Sequence, residues 1–214
     1  MEKGTEIRSA IEELALMVKL KPGDKKDAAH IPTKPFLYVC NLIIQVLDKI
    51  GPTMAVLRQD IHQNIQRLEM AHESDPLLNS NLVEILKKEA NEGNARKETS
   101  CSRAFVWLSR AMDFTLELMQ NLARDPEQSM EQAVEESYTI TLKPWHGWIS
   151  SAAFKVALKL LPDNKTFSNL LMGKEGNNGT LKEEMQNFVS LFSAYLEEIH
   201  AVLRVYGLDR LKAT

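Results

Sequence analysis

The chain is predicted to be all-α, on three observations. Apolar residues recur at three- and four-residue spacing through most of the 214 residues, the period of one helix face. No run alternates apolar and polar between hairpin turns, as a half-buried strand would. The breakers Gly51-Pro52, Lys143-Pro144, Leu161-Pro162 and the stretch 173–179 fall between the periodic runs, where a free φ or a missing amide ends a helix.

Taken in order, the first periodic run covers 6–20. Segment 21–34, with two prolines, a glycine and four lysines, reads as a loop. Residues 1–34 are thus expected to form an N-terminal helix and linker leading into a domain over 35–214, all within one globular body. Helices follow over 35–50, 53–73, 81–92, 100–122, 129–142, 145–161, 165–172 and 180–206. Ser129 with Gln132, and Thr180 with Glu183, fit the capping box, in which each side chain satisfies an orphan amide of the first turn. The short connections predict antiparallel neighbours.

Composition narrows the function classes. Hydrophobic residues make up 44% and charged residues 26%, a globular mixture. A net charge of −3 and a pI near 6.0 provide no strong basic field for nucleic acid. The opening Met1-Glu-Lys-Gly-Thr-Glu-Ile-Arg lacks the apolar stretch of a secretory leader, and no run reaches the roughly 20 apolar residues of a membrane span. A cytoplasmic protein is expected. Cys40 and Cys101 lack CxxC spacing, so two reduced thiols are the expectation and a disulfide the alternative. GxSxG, P-loop and HExxH patterns are absent, so neither enzyme chemistry nor a cofactor or metal is expected.

Three helices place residues where a simple core would not need them. In the third, Met54, Leu57, Ile61, Ile65 and Leu68 form the core stripe, while Asp60, Asn64 and Arg67 fall within about 60° of one another along its edge. The trio is either an ordinary solvated edge or a polar head-group site at the mouth of an apolar interior. In the fifth, Trp107, Arg110 and Phe114 share a face; Trp107 is either a core residue or a platform on which a sugar ring stacks. In the seventh, Ile149, Ala153, Phe154, Ala157, Leu160 and Leu161 lie within about 80° of His146, so His146 points inward. It is either hydrogen-bonded in the core or holds a polar atom of a bound lipid, since a buried imidazole needs a partner. Trp148, Lys155 and Lys159 occupy the opposite face, which suits docking at a membrane interface or cover by another helix or chain.

Asp60-x3-Asn64-x2-Arg67, Val106-Trp107-Leu108-x-Arg110 and Trp145-His146-Gly147-Trp148-Ile149, in that order, resemble the glycolipid transfer protein family, above all its plant members. Pro35-Phe36-Leu37 and Ala153-Phe154-x3-Leu158-x3-Pro162 fit too, and the resemblance runs from about Thr33 to the C-terminus. It implies a two-layer sandwich of about eight helices enclosing a sleeve for ceramide. By that likeness Asp60 and Asn64 bind sugar hydroxyls, with Asp60 also taking the ceramide amide N–H, and Arg67 assists. Trp107 stacks on the first sugar, His146 donates to the acyl-amide carbonyl, and Trp148 docks on membranes. Leu57, Phe154 and Leu158 line the sleeve.

The function so implied is transfer of a glycosphingolipid, such as glucosylceramide, between membranes, by a monomer touching membranes transiently. The alternatives are a carrier of ceramide-1-phosphate, or a lipid sensor or interaction module without net transport. The phosphate-carrying branch of the family places cations where Asn64 and Trp107 stand, which favours the sugar mode, because a phosphate calls for charge and forked donors. Arg67 and Arg110 keep the phosphate alternative open. Two departures stand out: the tail Asp209-Arg-Leu-Lys-Ala-Thr lacks the tyrosine of animal members, and the first thirty residues are longer than the family core.

Overall fold

A computed structural model describes residues 6–19, 30–125, 127–172 and 178–212. Among these, nine α-helices form a two-layer sandwich with no strand; a single bridge joins Pro32 to Asn81. The helices are α1 (Glu6–Lys19), α2 (Thr33–Ile50), α3 (Ala55–Ser74), α4 (Leu82–Asn91), α5 (Cys101–Arg124), α6 (Met130–Thr141), α7 (Trp148–Leu158), α8 (Asn164–Met172) and α9 (Asn178–Val205), with 3₁₀ turns at Pro52–Met54 and Leu78–Ser80. Most of the predicted linker and of the break at 173–179 lies outside the described residues.

Helix α5 is the hub, packing on α3, α4, α6 and α9, while α2 packs on α1, α3 and α8. Helix α1 lies against α9 and α2 and buries Ala10 and Leu14. The layers meet through Phe36 of α2 and Phe105 of α5, whose rings tilt at 5.0 Å, with Leu108, Met112, Phe192 and Ile199 fully buried around them. Gly51 ends α2 at φ +113°, a backbone setting that L side chains rarely adopt. The start of α2 is stapled to the α3–α4 turn: Asn81 Oδ1 accepts from Ile31 N at 3.0 Å and from Val83 N at 3.1 Å, and Thr33 Oγ1 donates to the Asn79 carbonyl at 2.7 Å. One side chain thereby caps α4 and closes a loop. Between α5 and α6, Asn121 donates to Ser137 Oγ at 3.0 Å, pairing two buried polar groups.

Four expectations need correction. The seventh helix begins at Trp148, not 145: Trp145 and His146 lie in a turn whose amides bond to the Leu142 carbonyl. A helical wheel carried through Gly147 therefore fails to group His146 with α7: His146 is half-buried against Trp107 and Tyr138, whereas Ile149, Ala153 and Leu160, expected inward with it, are exposed. Helix α7 buries no residue at all. Leu57, expected on the core stripe, is exposed on the first turn of α3, where no facing helix covers it as α5 covers Ile61, Ile65 and Leu68. Thr180 is no cap, since α9 starts two residues earlier. At Ser129 the cap forms, accepting from Gln132 N at 3.2 Å, yet the Gln132 side chain bonds Glu136 instead of closing the box. Both cysteines are free thiols.

Phe105→Ala, at the layer contact, is expected to cost about 3–5 kcal/mol in urea unfolding. Trp148→Ala, at 81% exposure, is expected to change stability by no more than about 0.5 kcal/mol. A reversed order of the two losses would overturn this assignment of core and surface.

Candidate functional site

The site is built on the first half of α5, whose start is held by charge. The Glu89 carboxylate accepts from Cys101 N at 2.8 Å, Ser102 N at 2.7 Å and Ser102 Oγ at 2.5 Å, and Ser100 Oγ accepts from Arg103 N at 3.0 Å. An anion on exposed amides of a first turn is favoured by the helix dipole as well. From α3, Arg67 Nη1 donates to the Glu98 carbonyl at 3.1 Å and more weakly to that of Ser100 at 3.5 Å. Arg67 thus ties the polar edge of α3 to the entry of α5.

Along that edge, Asn64 Nδ2 donates to the Asp60 backbone carbonyl at 3.0 Å, which leaves its amide oxygen outward. No hydrogen bond or ion pair engages the Asp60 carboxylate among the described residues. Asp60 is exposed as a residue, but protein mass behind its carboxyl thins the water and raises its pKa, an effect that the charge of Arg67 partly offsets. It is an unsatisfied acceptor standing beside a cation.

Beyond the first turn of α5 comes an aromatic group drawn from three further segments. The Trp107 ring lies 5.6 Å from His146, and His146 lies 5.5 Å from Tyr138 of α6. Tyr138 in turn stacks flat on Phe154 of α7 at 3.5 Å. His146 Nδ1 is 3.3 Å from the Tyr138 hydroxyl, which is 3.2 Å from Ser151 Oγ. Burial, and then the positive field of Arg110, hold the His146 pKa below 6.5, so the ring is neutral at pH 7. Trp107 and His146 are both half-buried. Each keeps a partly open side beside its packed one.

Arg110 completes the group. Its guanidinium lies between two indoles, 4.7 Å from the Trp107 ring and 4.3 Å from that of Trp145.

The sequence-predicted residues therefore divide into clusters. Trp107, His146 and Phe154 belong to the aromatic group; Asp60, Asn64 and Arg67 form one edge of α3; Leu158 is half-buried at the end of α7. Trp148 and Lys155 of α7, and Lys159 just past its end, are all exposed, though Ile149 and Val156 share that exposure, so the exposed surface is broader and more apolar than expected. Sequence reasoning missed Tyr138 and the plate role of Trp145. Tyr138 carries only a buried-face signal, and Trp145 reads as a helix residue until Gly147 is seen to start α7.

Asp60 and Asn64 thus offer an open carboxylate and amide on α3, and Trp107 and His146 a half-open indole and a neutral imidazole, on a helical sandwich with an apolar core. A family model described as glycolipid transfer protein matches residues 31–173. Glycolipid transfer protein 3 of Arabidopsis thaliana is 56% identical over 99% of this chain and 94% of its own length; glycolipid transfer protein 2 of the same plant is 55% identical over 99% and 95%. The glycolipid-transfer-fold structure of FAPP2, reported as selecting simple glycosphingolipids, superposes with a TM-score of 0.80 at 24% identity, over 88% of this chain and 92% of that one. Human ceramide-1-phosphate transfer protein superposes at 0.82 with 14% identity, over 97% and 100%. The chain belongs to the glycolipid transfer protein family.

The depressed pKa of His146 carries a sign. Between its folded pKa and 6.5 the unfolded chain binds more protons than the folded one, so the stability that His146 contributes is complete above pH 6.5 and is lost as pH falls through that window. In His146→Gln the slope of unfolding free energy against pH just below 6.5 is expected to be shallower than in the parent; an equal slope in urea titrations would show that His146 is not shifted.

Proposed function

We propose that this chain, acting as a monomer, carries a glycosphingolipid between membranes without any bond-making step. The observation that carries the reading is the half-open Trp107–His146 pair, with an Asp60 carboxylate left without a partner among the described residues on α3, the helix packed against α5. Arg67 meets α5 at Ser100. Asp60 stands seven residues back from Arg67 and Trp107 seven residues on from Ser100, a rise of about 10.5 Å along each of two helices that pack on one another. A sugar ring on the indole face then presents hydroxyls to Asp60 and to the Asn64 amide.

The Tyr138 hydroxyl donates to Ser151 Oγ and lies 3.3 Å from His146 Nδ1; the neutral imidazole carries its one proton on Nδ1 or on Nε2. A neutral Nε2–H can donate to an acyl-amide carbonyl, and Asp60 can accept the amide N–H. The hydrocarbon tails enter past Leu57, Phe154 and Leu158 by displacing α7, which packs chiefly on α6 and buries nothing of its own. The gain of about 0.8 kcal/mol per buried methylene replaces what the bilayer offered, so transfer is nearly balanced and selectivity falls to the head. Exposed Trp148 and Ile149, with Lys155 on α7 and Lys159 just past its end, form the landing surface at the membrane interface, from the cytoplasmic side. No helix among the described residues is long and apolar enough to cross the membrane.

A phosphorylated head fits less well, because both arginines near the site are already committed, Arg67 to carbonyls and Arg110 between two rings.

Asp60→Val and Trp107→Ala are each expected to lower vesicle-to-vesicle transfer of fluorescent glucosylceramide by about 100-fold or more, the loss of one to two charged or stacking contacts, with circular dichroism and melting nearly unchanged. Joint loss of fold and transfer would make them core residues instead, and tight binding without transfer in the parent would favour a sensor. Asn64→Lys is expected to shift preference toward ceramide-1-phosphate; an unchanged ratio of the two transfer rates would refute the head-group assignment of Asn64.

A further inference from the structure

Arg110 is a buried cation with little to hold. It is 4% exposed; among the described residues its Nη1 has no hydrogen-bond partner, and its Nη2 reaches only the Asp209 backbone carbonyl, at 3.5 Å. The nearest carboxylate on its own helix, Asp113, is spent on His200 of α9 at 2.7 Å. Burial brings its pKa down to about 10, so it is still charged at pH 7. What compensates it is the pair of indole faces at 4.7 and 4.3 Å; a cation over each face of its plane is attracted by both ring quadrupoles, the more so when desolvated.

The sandwich has a consequence for the head group. Trp107 is the ring that faces His146, at 5.6 Å, and the Arg110 guanidinium lies 4.7 Å from that same ring, so the cation adjoins the indole that the carrier reading gives to the sugar. A planar fork with two free donors there would be a phosphate ligand. The rings take its faces, and at 4% exposure with Nη1 buried its N–H edge is kept from the surface, so that while the clamp holds it offers the ligand neither face nor fork.

We infer that Trp145 is a specificity-determining residue: by clamping Arg110 against Trp107, it withholds a cation from the head-group site and so selects a neutral sugar over a phosphate. This rests on the carrier reading above. Trp145 is then a positioning residue, acting through Arg110 with no ligand contact of its own.

The test uses the full chain and its close variants, offered phosphatidylcholine vesicles doped with either glucosylceramide or ceramide-1-phosphate, with the captured lipid quantified by mass spectrometry. Trp145→Leu, which keeps apolar volume but removes the second face, is expected to lower the ratio of glucosylceramide to ceramide-1-phosphate captured by about tenfold, a shift of the size a desolvated cation–π contact permits, chiefly through a gain in the phosphate lipid. Adding Arg110→Gln to Trp145→Leu is expected to remove that gain, and Trp145→Phe, which keeps a face, to retain most of the parent ratio. Arg110→Gln alone is expected to leave ceramide-1-phosphate capture at the parent level, because the cation is already withheld. An unchanged ratio in a folded Trp145→Leu, a gain that survives the double substitution, or a drop in phosphate-lipid capture in Arg110→Gln alone would each overturn the inference; the last applies even if Trp145→Leu does not fold. A parent chain that captures no glucosylceramide overturns the carrier reading instead, while the phosphate-lipid arms still report on Arg110.

Discussion

The start of α5 is a helix terminus held by one carboxylate, and the rest of the site is measured from it. Glu89 satisfies two backbone amides and a hydroxyl there, while Arg67 takes the carbonyls just before it. Neither interaction touches the aromatic group directly. Together they set the phase and register of α5 against α3 and α4, and a helix fixed at one end presents each later residue at a determined height and angle. Phe105, Leu108, Arg110 and Met112 fall inward while Trp107 stays half-buried because these angles differ by fractions of a turn.

Charge is handled economically around this helix. One carboxylate stands open at Asp60, the imidazole is kept neutral by burial and by a nearby cation, and the two arginines are occupied. An uncharged head loses less hydration on leaving water than a phosphate does, so under the proposed function open groups of one carboxylate, one amide and one indole are matched to it. In that proposal binding energy rests on the directions of a few hydrogen bonds and on a flat apolar face, which a wrong head group fails to satisfy at a cost.

Helix α7 is the opposite extreme of the fold. It is an apolar segment without a buried residue, attached through α6 and the Tyr138–Phe154 stack. Such an element is stable only because its neighbours are, and it is the part of the sandwich with least to lose on moving. In the proposed cycle that weakness is useful: the helix that covers the interior is also the one whose exposed tryptophan meets the membrane.

Much of this was legible in the residues alone. Helical period, breakers and the cap at Ser129 depend on neighbours within one or two turns, so the nine helices and most of their ends could be read locally. Asp60, Asn64 and Arg67 could be placed on one edge for the same reason. The neighbours of His146 could not, because a wheel assumes continuous helix and Gly147 breaks it; nor could the exposure of Leu57, which depends on where a facing helix stops. The partner of Arg110 was invisible as well, since Trp145 is 35 positions away in the sequence and meets it only when α6 and the turn after it fold back on α5. Period and capping are short-range properties of the chain, whereas a clamp between two rings exists only once the packing of separate helices has chosen which faces meet.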